Sequence, residues 1–240
     1  LADKTEYSFE TSMRHIDGLI DYRGIAQVDW LGTFTGGLLG MMFAAREDSP
    51  VRRLILNDIG PFVSAAAIEQ FVSLMGSDVV LKNLESAMTY FKGVYSASGI
   101  TDDADWSDFI TRSVNREVDG SYSLHYDPAI IDELNTISGD LNFWDVYEKI
   151  DCPVLVLRGK YSNVLSEGTA ERMVQTGPKA QLIEFENCGH APALIDPEQL
   201  AAISNWLNET EVVPETQEVS VENDETDKDE NVSEIKVNID

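Results

Sequence analysis

The chain has 240 residues, 43% of them apolar, and a formal net charge of -26. That length allows one sizeable domain with a tail. The charge repels phosphate backbones and anionic lipid, so neither nucleic acid nor a membrane surface is an expected partner.

The charge is uneven. From Glu209 to Asp240 there are twelve acidic residues against Lys228 and Lys236. This segment is poor in large apolar side chains and is expected to be disordered, its sign fitting a basic protein partner. The two cysteines, Cys152 and Cys188, form no CxxC or Cys/His ligand spacing. No metal is expected, and nothing calls for an organic cofactor. No apolar run is long enough to span a bilayer, and the start carries no signal-peptide pattern.

Residues 1–8 read as a loop. In 9–24, Met13, Ile16, Leu19 and Ile20 fall on one helix face, and Gly24 can end the helix. "AQVDWLG" follows as a strand and "GGLLGMMFAAR" as an apolar helix opened by glycines. A second strand spans 54–57 and stops at Gly60-Pro61. Residues 62–150 then change character: "AAAIEQFVSLM", "VVLKNLESAMTYFKGVY", "DWSDFITRSV" and "PAIIDELNTI" are helical patterns, and no strand is expected among them. Strands return with "CPVLVLRG", a nearly continuous apolar run of the kind a doubly covered parallel strand needs. A helix "SEGTAERMVQTGP", a strand "AQLIEFEN" and a last helix "DPEQLAAISNWLNE" complete the pattern, with Asp196 as N-cap and Pro197 at the first turn.

Strands alternating with helices imply βαβ units and a parallel sheet, the fold class α/β. The insertion belongs above the carboxyl ends of the strands, where open α/β sheets bind ligands. Cys152 precedes one parallel strand and Cys188 follows the next, which puts them at opposite ends of the sheet and too far apart to bond. A reducing, cytoplasmic setting fits. "NET" at Asn208 and "NVS" at Asn231 match a glycosylation triplet that matters only on secretion.

Four segments, "VDWLGTFTGG", "RRLILNDIGP", "CPVLVLRGKYSNVLS" and "CGHAPAL", come in an order and spacing that resembles the α/β-hydrolases, of the esterase-like group with a helical cap. The resemblance implies a core in two parts, 1–61 and 151–208, a cap insertion at 62–150 and a tail at 209–240. The four segments correspond to the last four strands of that fold. The chain is therefore expected to be its C-terminal part, without the earlier strands or the loop that supplies an oxyanion-hole N–H.

The resemblance also assigns positions. Gly32, Gly36 and Gly37 keep the glycines of a G-x-S-x-G nucleophile elbow, but Phe34 stands where the serine belongs. A phenyl ring has no lone pair to attack with and no proton to give up, so acyl-enzyme chemistry through Phe34 is excluded. Thr33 and Thr35 carry hydroxyls, yet only the middle side chain of an elbow reaches its apex; Thr35 fits better as a backbone N–H donor to an oxyanion hole. His190 takes the general-base position. The acid position falls to Asn163, which has the shape of an aspartate without its charge. Asp58 is read first as a turn-former before Gly60-Pro61 and second as an alternative acid. His15 and His125 are expected to be ordinary residues. Trp106, Phe109, Tyr122 and Trp144 are aromatic candidates for the pocket lining.

Two functions remain open at this point: hydrolysis of small esters or related acyl substrates, and non-catalytic binding of a small apolar or ester-like ligand, or of a protein partner, on a hydrolase fold. A decayed product without function is a variant of the second.

Overall fold

The computed structural model describes residues 6–75 and 79–210. The acidic segment beyond Thr210 and the triplet at Asn231 lie outside them.

Helix α1 (Phe9–Arg23) is capped at its start by the Ser8 side chain and closed by Gly24 in the left-handed conformation. Strand β1 (Val28–Thr33) leads into α2 (Thr35–Ala44), and β2 (Val51–Asn57) follows. The insertion contributes β3 (Phe62–Val63), α3 (Ala65–Met75), α4 (Leu84–Val94), α5 (Asp103–Ser113), β4 (Val114–Arg116), β5 (Tyr122–Leu124), a 3₁₀ turn over 128–131, α6 (Asp132–Thr136), β6 (Leu141–Asn142) and α7 (Trp144–Tyr147). The chain then returns through β7 (Val154–Gly159), α8 (Glu167–Gln175), β8 (Gln181–Phe185) and α9 (Pro197–Glu209).

Strands β1, β2, β7 and β8 form one parallel sheet in that order. Successive side chains of its central strands go to opposite faces, and both faces are apolar. On one side Leu54, Leu56, Val154 and Val156 join the core built with α2 and α7. On the other, Ile55, Leu155 and Leu157 pack with Phe185 and with Trp206 of α9. Every residue of β7 is buried, as its unbroken apolar run requires.

The insertion is not wholly helical. It carries two short antiparallel pairs, β3 with β6 and β4 with β5. Segments of two or three residues are too short to show an alternating pattern, which is why the sequence reads only helices there. The helix expected to start at Val79 starts at Leu84 instead, because Asn83 and Ser86 form a reciprocal capping box. α7 is a further element without an independent signal. Among the described residues, no helix is long and apolar enough to cross a membrane.

Candidate active site

The turn between β1 and α2 is shaped by close approach. A Cβ on Gly32 would stand 2.3 Å from the Gly36 backbone, and one on Gly37 would stand 2.3 Å from the Ile59 side chain. No side chain fits at either place, so the helix can leave the strand immediately. Trp30 fixes the angle by donating its indole N–H to the Gly36 carbonyl at 2.9 Å. Gly36 itself has open space around it. At the apex Phe34 adopts φ 44° and ψ -117°, a conformation that non-glycine residues rarely hold. This geometry has the form of the strained strand-to-helix turn on which a nucleophile is presented. Thr35 is the first residue of α2, so its N–H has no acceptor within the helix.

The Phe34 ring is buried, with 5% of its surface exposed. It stacks on Phe71 of α3 with centroids 4.1 Å apart and meets the His190 ring edge-on at 5.8 Å. An aromatic ring therefore fills the apex of the turn, clamped between Phe71 of the insertion and the imidazole.

The partner of His190 corrects one expectation. His190 Nδ1 lies 2.7 Å from Asp58 Oδ2. Asn163, expected at the acid position, is exposed and donates through Nδ2 to Gln70 Oε1 at 2.7 Å. After β7 the chain turns at Ser162, whose N–H donates to the Gly159 carbonyl, and it is Ser162, not Asn163, that joins the Asp58 carboxylate. Asp58 is fully buried and accepts two more bonds, from the Gly159 N–H at 2.9 Å and the Ser162 hydroxyl at 2.6 Å. Ser162 Oγ in turn receives the N–H groups of Val164 and Leu165. Its proton is thus directed to Asp58, whose two oxygens are held by three donors. Asp58 also has φ 55°, so the turn role and the histidine-pairing role coincide in one residue. With Nδ1 tied to Asp58, Nε2 is the imidazole nitrogen left for chemistry.

Beside these residues lies a cavity of about 520 Å³, lined by the strand ends at Thr33 and Asn57, by Phe34 and His190, and by insertion residues including Phe71 and Tyr95. Of the four aromatic candidates only Phe109 lines it; Trp106 packs inside the insertion and Trp144 against Tyr147 in the main core. His15 and His125 are exposed and are not among the residues lining this cavity. Burial pushes the Cys152 and Cys188 thiols up to about 11, which leaves both as protonated packing groups at neutral pH. Among the described residues no group of three metal-ligating side chains gathers.

Sequence reasoning missed Phe71, Ser162, Asn57 and Ser98. Asn57 alone left a signal, as a polar residue closing the apolar strand "LIL". Its Nδ2 donates to Thr33 Oγ1 and to the Pro192 carbonyl, both at 3.0 Å.

A family model described as "alpha/beta hydrolase fold" matches residues 1–197. The chain belongs to that family. It is 32% identical over 211 residues to a 3-hydroxybutyrate-oligomer hydrolase from Cupriavidus necator, covering 84% of this chain and 72% of that relative. It is 28% identical over 187 residues to a 2-hydroxy-6-oxo-2,4-heptadienoate hydrolase from Pseudomonas putida, covering 77% and 64% of the two chains. Among solved structures, an α/β hydrolase from Novosphingobium aromaticivorans superposes with a TM-score of 0.78 at 26% identity, covering 88% of this chain and 75% of that one. A Rickettsia typhi protein does so with a TM-score of 0.81 at 32% identity, covering 87% and 72%.

Proposed function

We propose that this member of the α/β-hydrolase family binds a small ester or related acyl compound of the hydroxy-acid class without forming an acyl-enzyme. The observation that carries the reading is the Phe34 ring at the elbow apex, stacked on Phe71 and set against His190 beside a cavity of about 520 Å³. A covalent intermediate needs a nucleophile at that apex, and carbon cannot serve. Cavities of this size hold small organic ligands. The two hydrolases it resembles are named for hydroxylated acids, which supports the ligand class. In this reading residues 62–150 act as the cap over the ligand.

The intact His190–Asp58 pair supports a second, slower activity. Nε2 can take a proton from a water molecule, which then attacks the ester carbonyl directly. Such a route lacks the two-step path that makes serine hydrolases fast.

The test is a fluorophosphonate probe together with a p-nitrophenyl ester panel. The unaltered chain should show no covalent adduct by mass spectrometry and no burst. Any slow turnover should disappear in His190→Ala. An adduct on the unaltered chain, or turnover at ordinary esterase rates, would overturn the reading.

A further inference from the structure

Two buried polar atoms have no partner among the described residues: Asn57 Oδ1 and Ser98 Oγ. Both belong to residues that line the cavity, and each residue is 2% exposed. Buried polar groups are almost always paired, because leaving one unpaired forfeits its hydration with nothing in return. Two orphans in the wall of one cavity are therefore a ligand signal.

Their chemistry is fixed by what surrounds them. The Asn57 amide must turn Nδ2 toward the Pro192 carbonyl, since a carbonyl can only accept. Oδ1 is then an acceptor that lacks a donor. Ser98 Oγ is a rotor that can donate or accept. The two residues are tied to consecutive positions of one loop: Asn57 bonds the Pro192 carbonyl, and the Ser98 carbonyl accepts the Ala193 N–H at 3.0 Å. That loop, between β8 and α9, also carries His190, so both orphans are tied to the segment that presents the imidazole to the cavity.

We infer that Asn57 and Ser98 form a hydroxyl-reading subsite: a ligand hydroxyl donates its proton to Asn57 Oδ1 and accepts one from Ser98 Oγ. A single hydroxyl is both donor and acceptor, so it satisfies both orphans at once. An ether or carbonyl oxygen cannot donate, and a methylene can do neither. Both atoms are shielded from solvent in the free protein, so the inference requires Ser98 to turn about χ1 toward the ligand. The inference rests on the proposed acyl-ligand reading and adds to it the residues that select a hydroxylated acyl chain.

The test is calorimetric titration of the full chain with methyl 3-hydroxybutyrate and with methyl butyrate, which differ by that hydroxyl. The hydroxylated ester should bind about tenfold more tightly, the size of one or two satisfied neutral hydrogen bonds. Ser98→Ala should narrow the preference to about threefold or less. Its Tm should be equal or higher, since the hydroxyl has no partner to lose. A preference that survives Ser98→Ala would overturn the subsite while leaving the acyl-ligand reading intact; equal binding of both esters by the unaltered chain would overturn the subsite and the hydroxy-acid class, leaving a small acyl ligand. Binding of neither ester overturns both. A Ser98→Ala variant that loses stability along with affinity shows Ser98 to be structural and also overturns the subsite.

Discussion

The two halves of the candidate site differ in what they hold. The elbow half keeps its backbone: Gly32 and Gly37 at close approach, Trp30 bonded to Gly36, and an apex at φ 44°. Its one reactive atom is missing. The acid–base half keeps its atoms: His190 on Asp58, with Asp58 held by Gly159 and Ser162. On the proposed reading, hydrolase chemistry is interrupted at one side chain. Strain at the apex has no catalytic use with Phe34 in place, yet packing against Phe71 and the glycine-dictated path maintain it.

Phe34→Ser should restore a hydroxyl next to a complete base and acid, raising p-nitrophenyl butyrate hydrolysis by about 10³-fold. Adding Asp58→Asn should remove nearly all of that gain, because an amide cannot stabilise the imidazolium and favours the wrong tautomer. Steady-state kinetics with active-site titration measure both. If Phe34→Ser folds and stays inactive, the acid–base half is as decayed as the elbow. The truncation Phe34→Ala should cost about 3 kcal/mol or more in denaturant unfolding, from lost burial and the cavity left under Phe71.

A second pair of substitutions separates what the elbow backbone needs from what it merely contains. Gly32→Ala drives a methyl into the Gly36 backbone, where no side-chain rotation relieves it. It should destabilise by about 3 kcal/mol, the upper range for overpacking. Gly36→Ala meets open space inside a helix and should stabilise by roughly 0.5–1 kcal/mol. Equal costs at the two positions would show that the family spacing, rather than steric contact, had singled out Gly32.

The parallel sheet, its flanking helices and the elbow were legible because each rests on local pattern: a doubly buried apolar run for β7, a capped helix for α9, and glycines at fixed spacing after β1. His190 was legible for the same reason. Asp58 was visible but ranked second, since its use depends on a contact 132 positions away that no local pattern encodes. Asn163 failed in the opposite sense: its place after β7 matched a family spacing, while the turn through Ser162 directs it to Gln70. The short strands of the insertion, the Phe71 stack and the orphans at Asn57 and Ser98 arise wholly from tertiary placement.

In the Phe34→Ser background, Asn163→Asp should change kcat/KM by less than about threefold. A working acid introduced where none existed would be worth about 10⁴-fold, the penalty for an aspartate-to-asparagine swap within a triad. The geometry denies residue 163 that role: it is exposed, it bonds to the insertion through Gln70, and the imidazole Nδ1 is already occupied at 2.7 Å by Asp58. A new carboxylate there would be hydrated and screened, with only a weak through-solvent pull on His190. A gain of a hundredfold or more would mean that His190 can exchange partners, and that the acid–base half holds two arrangements rather than one.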